Sequence, residues 1–330
     1  SLVVLKEKKL VEKEWLYHAL ADKKAEFEII ATSNAQLNIN LEKLNPYKLC
    51  VPPKEEQTAI ANALSDVDAL LTELETLIAK KQAIKTATMQ QLLTGKTRLP
   101  QFATYTKGAV EGQSKGTKPS ELGNIPEDWE MGALGEIAKF CKGKGLPKSD
   151  ISDFGMFECI HYGELFTTYG PEVRSIQSKT NSVEDTIKSE ANDILMPTSD
   201  VTPTGLATAS GIKKKGIILG GDILIIRPHK DKLDSSFFSY LVAISKKQIM
   251  QLVTGSTVYH LYGSDMATFK FSYPSDIDEQ AGIATILSDM DNEIQTLEQR
   301  LTKTRQIKQG MMQQLLTGRT RLPFKQAKEA

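Results

Sequence analysis

Eleven residues, QQLLTGKTRLP ending at Pro100, return as QQLLTGRTRLP ending at Pro323 with one change, Lys96 for Arg319. The offset is 323 − 100 = 223 residues. A word repeated at that distance constrains the fold more than composition does: the chain carries two copies of one unit, and the copies have to be explained together. Laid on itself at this offset, the sequence keeps matching upstream. Glu56 and Gln57 fall on Glu279 and Gln280, Leu64-Ser65-Asp66 on Leu287-Ser288-Asp289, and Asp68 on Asp291. Carried further without a gap, the alignment puts Trp15 and Tyr17 on Phe238 and Tyr240 and Ser33 on Ser256, and brings LVVL near the start to the ILII run at 223–226, which it overlaps. The counterpart of roughly residues 119–223 is absent from the first copy.

Each copy closes in a long helical segment. Ile60, Leu64, Val67, Leu71, Leu74 and Ile78 step by alternating fours and threes, and Ile283, Leu287, Met290, Ile294, Leu297 and Leu301 do the same. That is the a/d seam of a coiled coil. The seam turns polar at Lys81 and Lys85 and at Thr304 and Lys308, then returns to Leu92 and Leu315. Pro52-Pro53 bars helix before the first segment, and Gly95 and Gly318 suit the left-handed residue that ends a helix. Segments of 35–40 residues would be about 55 Å long at 1.5 Å per residue. Two equal seams on one chain bury each other most economically, and the globular stretch between them is long enough to bring the second back antiparallel to the first.

The chain has 330 residues, enough for two or three domains. Its 41 basic and 41 acidic side chains cancel, so any basic surface for a polyanion has to be local. Cys50, Cys141 and Cys159 are odd in number and far apart, which argues against a zinc site or a disulfide framework and for a reducing compartment. No apolar run is long enough for a membrane span, and SLVVLKEKK is too short an apolar start for a signal peptide, so a cytoplasmic location is expected. Residues 101–120 are small, polar and glycine-rich and read as a flexible connection. Beyond them MFECI, NDILMP and GDILIIRP read as short strands, and 237–252 has helical spacing, which makes the class α+β.

Several motifs fail on inspection. TGKT at 94–97 has Gln90 where a phosphate-binding loop needs glycine, and no strand precedes it. NPY at 45–47 lacks the second proline of the adenine-methyltransferase motif. PSDIDEQ at 274–280 offers carboxylates without the lysine motif of a nuclease. His18, His161, His229 and His260 stand at no catalytic spacing. No catalytic or metal-ligating set emerges.

The combination of GNIPEDWEMGALGEIAKFCKGKG (123–145), IHYGEL (160–165), GDILIIRP (221–228) and the EEQ/DEQ…LSD…QQLLTG-TRLP helix in both copies resembles the specificity subunits of type I restriction–modification systems. The resemblance covers nearly the whole chain. It implies α/β target-recognition domains separated by two long helices in an antiparallel coiled coil. The boundaries it suggests are the C-terminal part of a first recognition domain at 1–53, the first helix at 54–95, a linker at 96–120, a second recognition domain at 121–275, the second helix at 276–318 and a tail at 319–330. It implies a non-catalytic subunit that reads a split site in double-stranded DNA. Two methyltransferase subunits would dock on it, and restriction–translocase subunits would join through the complex. S-adenosylmethionine, magnesium and ATP would be held by those partners, with no cofactor in this chain. A coiled-coil scaffold or dimerising half-subunit that has lost reading by its shortened first domain is the alternative, and self-association stays open.

Phosphate contacts need lysine, arginine, hydroxyls and free amides, and base reading needs polar side chains on loops. Four loops of the complete copy qualify. The first carries Lys142, Lys144 and Lys148 between glycines, and the second His161 and Tyr162. The third, 197–215, carries Ser199, Thr202, Thr204, Lys213 and Lys214, and the fourth Ser256, Thr257, Tyr259 and His260. In the partial copy the matching candidates are Ser33, Asn34, Gln36 and Asn38.

Overall fold

The computed structural model describes residues 11–30, 32–34, 36–38, 44 and 46–322, with the backbone alone at 30, 32–34 and 36–38. The helices are α1 Lys13–Asp22, α2 Lys24–Ile30, α3 Lys54–Leu92, α4 Leu134–Ile137, α5 Glu164–Thr167, α6 Ser235–Ile244, α7 Lys246–Met250, α8 Gly263–Met266 and α9 Ile277–Leu315. The two long ones have 39 residues each. No helix among the described residues is long and apolar enough to cross a membrane. The chain divides into two compact units, 1–82 with 293–330, and 83–292, so each unit owns a part of both long helices.

In the first unit α1 and α2 lead to a short hairpin, β1 Thr32–Asn34 with β2 Gln36–Asn38. Trp15 and Ala19 of α1 pack with Ile60, Ala61 and Leu64 of α3 and Leu315 of α9. Here α3 and α9 run antiparallel. Glu56 pairs with Arg321, Asp68 with Lys308, Glu75 with Arg305 at 2.6 Å and Lys81 with Glu293 at 2.6 Å, so residue numbers rise on one helix as they fall on the other. In the second unit Arg98 pairs with Glu279 and Lys85 with Asp291, in the same sense. The polar interruption of the seam is therefore where lysines meet acids of the facing helix, a device that fixes register.

The repeated word is a repeated joint. Gly95 and Gly318 both take φ +70° to end their helices. Thr97 and Thr320 then fold back, each donating its amide to the carbonyl of Gln91 or Gln314 at 3.1 Å and its hydroxyl to that glutamine's Oε1 at 3.2 Å. The next residue, Arg98 or Arg321, reaches the glutamate that opens the other helix, Glu279 or Glu56. The one position that differs, Lys96 or Arg319, is exposed in both copies.

The gapless alignment fails upstream of the helices. The N-cap carboxylates of α1 and α6 are Glu12 and Asp234, accepting from Trp15 N and Phe237 N. The amides of the same two caps donate to Gln57 and Gln280 Oε1. Caps differ by 234 − 12 = 222, glutamines by 280 − 57 = 223. The second copy therefore has one extra residue between Pro274 and Asp276, where the first has Pro52-Pro53. Trp15 matches Phe237 rather than Phe238, and His18 matches Tyr240. Aromatic letters one position out of step had hidden the gap, and LVVL lies outside the described residues.

The second unit holds strands β3 Thr117–Ser120, β4 Gly123–Pro126, β5 Trp129–Ala133, β6 Ala138–Lys142, β7 Phe157–Ile160, β8 Glu172–Val173, β9 Ser178–Thr180, β10 Ile187–Lys188, β11 Asp193–Pro197, β12 Ser199–Asp200, β13 Ser210–Ile212, β14 Ile218–Leu219, β15 Ile223–Pro228, β16 Thr254–Gly255, β17 Tyr259–His260 and β18 Lys270–Pro274. Its main sheet has the order β6-β15-β11-β13-β8. Successive residues on a strand face opposite sides. Ile194, Met196, Leu224 and Ile226 thus join the core built with Phe237, Phe238 and Leu241 of α6 and Leu92, Ile283 and Leu287 of the long helices. Leu195, Ile223 and Ile225 join a second core with Ile160, Leu165 and Leu219 on the other side. A sheet covered on both faces explains why ILM and ILII are unbroken apolar runs.

The expected flexible connection at 101–120 is folded. Tyr105 N donates to Gln113 O, Lys115 N to Ala103 O, and β3 pairs with β4. Lys115 Nζ and the Tyr105 hydroxyl are held by Asp128 and Glu127. A polar, glycine-rich composition that suits a linker also suits a hairpin when carboxylates stand ready to anchor it.

Candidate nucleic-acid interface

Strands β6 and β11 end, and β15 between them begins, at the same end of the main sheet. Pro197, the last residue of β11, pairs with Ile223, the first of β15, and Leu224 pairs with Lys142, the last of β6. From that end the backbone hydrogen bonds run from loop to loop. Gly143 N donates to Ile223 O at 2.8 Å and Lys144 N to Leu219 O at 3.1 Å. Gly221 N donates to Gly145 O and Gly220 N to Ile160 O, both at 3.0 Å. Thr198 N donates to Asp222 O and Leu261 N to Thr198 O, again at 3.0 Å. The four loops proposed from sequence are thus stitched around the 219–222 turn. Gly143 is required there, because a Cβ would lie 2.0 Å from the Gly220 carbonyl oxygen.

On this end the lysine loop is exposed. Lys142 Nζ lies 3.1 Å from Asp222 Oδ1, Lys144 pairs with Asp185, and Lys148 extends into solvent. Surface pairs of this kind are worth roughly 0–1 kcal/mol, so a phosphate oxygen can take the place of the carboxylate. In the next loop His161 Nδ1 accepts from Gly163 N at 3.2 Å, which leaves the neutral ring's proton on Nε2. Its ring lies 4.5 Å from Tyr162, which meets Phe166 edge-on at 6.4 Å. Glu164 is turned inward, accepting from His161 N and Ser178 Oγ, and so holds the loop's shape.

The remaining two loops form one sheet, β12-β17-β16. Ser199 pairs with His260 and Asp200 with Tyr259. Asp200 orders its own turn, accepting from Val201 N at 2.7 Å and from the Thr202 hydroxyl at 2.8 Å. Thr204, Ser256 and Thr257 are exposed beside it, and His260 stacks on Tyr262 at 6.0 Å.

Lys213 and Lys214 are not brought here. The stretch 197–215 is not one loop: it contains a 3-10 turn at Pro203–Leu206 and the buried strand β13. Because Ile212 pairs with Asp193, the lysines leave the sheet at the far end of β11, about 13 Å away at 3.4 Å per residue. Lys213 holds Asp234 Oδ2 at 2.5 Å and Asn192 Oδ1 at 3.0 Å, and Lys214 holds Glu158 at 2.5 Å. The backbone of Ser33, Asn34, Gln36 and Asn38 forms the β1–β2 hairpin, while their side chains lie outside the described part of the structure. Sequence reading missed Asp222, which ties Lys142 to Thr198; Val201 and Val258, exposed on the same loops, are apolar and gave no polar signal. The buried Cys159 thiol is pushed up to about 11 by desolvation, which keeps it protonated at neutral pH.

The family model for the type I restriction modification DNA specificity domain matches residues 1–86 and 126–308, taking in parts of both copies. The chain belongs to this family. A specificity subunit named for the type I restriction enzyme MjaX, from Methanocaldococcus jannaschii, is 29% identical over 289 residues, covering 87% of this chain and 62% of its own length. The MjaVIII specificity subunit of the same organism is 25% identical, covering 98% of this chain and 74% of its own. This family member therefore spans less than two thirds of the MjaX relative. The type I S subunit crystal structure from M. genitalium has the same fold, with a TM-score of 0.58 at 20% identity over 92% of this chain and 72% of that one.

Proposed function

We propose that this chain is the non-catalytic DNA-recognition subunit of a type I restriction–modification assembly. The gathering of four polar loops at one sheet end, in a chain of the specificity family, carries this reading. The lysine loop would hold phosphates, while the β12-β17-β16 sheet and the His161–Tyr162 loop would face base edges. The target would be a split duplex site. Two helices of 39 residues, about 58 Å at 1.5 Å per residue, are of the right order to set a gap of one to two duplex turns of about 34 Å. Methyltransferase subunits would dock on the assembly and carry S-adenosylmethionine, and restriction–translocase subunits would carry magnesium and ATP.

The test is a methylome. The chain is expressed with its methyltransferase subunit and methylated adenines are mapped genome-wide. A split motif is the expected result, asymmetric if both copies read DNA and palindromic if the complete copy works twice in a dimer. Absence of any motif from an intact complex would instead leave the chain a scaffold. A second check is the triple change of Lys142, Lys144 and Lys148 to Ala. It is expected to weaken binding to all sequences alike and to flatten the log K against log salt slope by about 0.9 for each phosphate that is no longer neutralised.

A further inference from the structure

The β12-β17-β16 sheet ends in a pair of side chains that no core claims. Ser199 stands opposite His260 and Asp200 opposite Tyr259, and Val201 and Val258 are the residues that follow Asp200 and precede Tyr259 at that end of the ladder. Val201 is 74% exposed and Val258 43%, and neither joins an apolar cluster of the described residues. One exposed valine calls for no explanation, but two that flank the end of one short ladder do. The tip is built rather than loose. Asp200 accepts from Val201 N and from the Thr202 hydroxyl, and its carboxylate fills the space where a Cβ at Gly205 would lie. Gly255 takes φ +112°, and a Cβ there would be 2.2 Å from Val258 O, so glycine is what lets the hairpin close.

We propose that Val201 and Val258 form a methyl-reading tip that recognises thymine in the major groove; this rests on the DNA-recognition reading above. The major groove admits a β-ribbon, and the C5 methyl of thymine is its one apolar feature. Two β-branched side chains with little rotamer freedom make an apolar contact at small entropic cost. The exposed hydroxyls of Thr202, Thr204, Ser256 and Thr257 beside them suit the polar edges of the flanking bases. The half-site read by the second copy therefore contains at least one T·A pair whose methyl meets this tip.

The experiment uses the full chain with the subunits that purify with it. Duplexes are first selected from a random pool, and each thymine of the selected motif is then replaced singly by uracil, which removes only the methyl. Binding is measured for the native chain, Val201→Ala, Val258→Ala and Val201→Thr. One uracil is expected to weaken native binding about fourfold, the worth of one buried methyl. That penalty should vanish in at least one alanine variant and persist in part in Val201→Thr, which keeps one methyl. Both valines are exposed, so unchanged melting temperatures serve as the folding control. A motif without thymine, uracil neutral at every position, or a penalty undiminished in both alanine variants would overturn the proposal while DNA recognition stands. Failure to select any motif would overturn both.

Discussion

Helices α1 and α6 answer the same structural question with different chemistry. Each opens on a carboxylate cap tied to a glutamine of a long helix, and each packs beside an aspartate that also holds a lysine, Asp68 with Lys308 or Asp291 with Lys85. At the matching position α6 presents Tyr240, whose hydroxyl donates to Asp291 at 2.8 Å. Helix α1 presents His18, 2% exposed, with Nδ1 3.9 Å from Asp68 and Nε2 3.3 Å from Ser65 Oγ. Helix α6 is buried without a break from Ser235 to Val242, whereas α1 buries Trp15, His18 and Ala19 and leaves Tyr17 66% exposed. The duplicated part is the frame of helices and joints. What each copy packs against that frame differs, and so does how much of its stability rests on a few side chains.

The sharpest way to break the likeness is at the matched aromatics. Trp15→Ala and Phe237→Ala should each cost about 3–5 kcal/mol. The consequences should differ, because Trp15 serves a small core and Phe237 a large one. Hydrogen exchange should show α1 and α2 losing protection in the first variant and α6 remaining protected in the second; equal behaviour would remove the distinction. Next come the arginine joints. Arg98 is 11% exposed and serves Asp128 as well as Glu279, itself 1% exposed, so Arg98→Ala strands a buried carboxylate at a cost of about 3 kcal/mol. Arg321→Ala strands Glu56, also 1% exposed, but Arg321 is 59% exposed and has no counterpart of the Asp128 pair among the described residues, so this change should lower the melting temperature less.

The smallest effect depends on pH. Burial holds the His18 imidazole below its ordinary value, Lys308 adds to this, and Asp68 and Glu12 oppose it. The unfolded chain therefore takes up a proton that the folded chain resists. Stability is full above about pH 6.5 and is lost as pH falls below that towards the lowered folded-state value. Burial pushes the Tyr240 hydroxyl upward, so its copy is silent in this window. From pH 7 to pH 5 the amides of α1 should lose protection relative to their intrinsic exchange rates while those of α6 do not. His18→Tyr should make the two copies alike, and a persisting difference would place the acid sensitivity elsewhere.

Much of this was open to reading. The seam residues were legible because a heptad is local: Ile60, Leu64, Leu74, Ile78, Ile283, Leu287 and Ile294 are buried, and Val67, Leu71, Met290, Leu297 and Leu301 partly so. The glycine ends and the strands of 193–197 and 223–228 were legible for the same reason. The single-residue insertion at Ser275 was not, since only hydrogen-bond partners reveal that His18 and Tyr240 correspond. Of the candidate loops, the polar positions could be found by composition, but Lys213 and Lys214 look like part of a loop until the pairing of Ile212 with Asp193 sends them to the opposite end of the sheet.

By itself, the sequence determined that the chain is duplicated, that each copy ends in a long capped helix with an apolar seam, and that an α+β unit lies between them. These follow from spacing, and spacing survives in one dimension. Only the tertiary structure decided which loops stand together, that the arginine after each helix locks the opening glutamate of the other, and that Val201 and Val258 stay exposed at the end of one ladder. Those depend on strand register and antiparallel pairing, which bring together residues such as Lys142 and Asp222, or Glu56 and Arg321, that no local pattern connects.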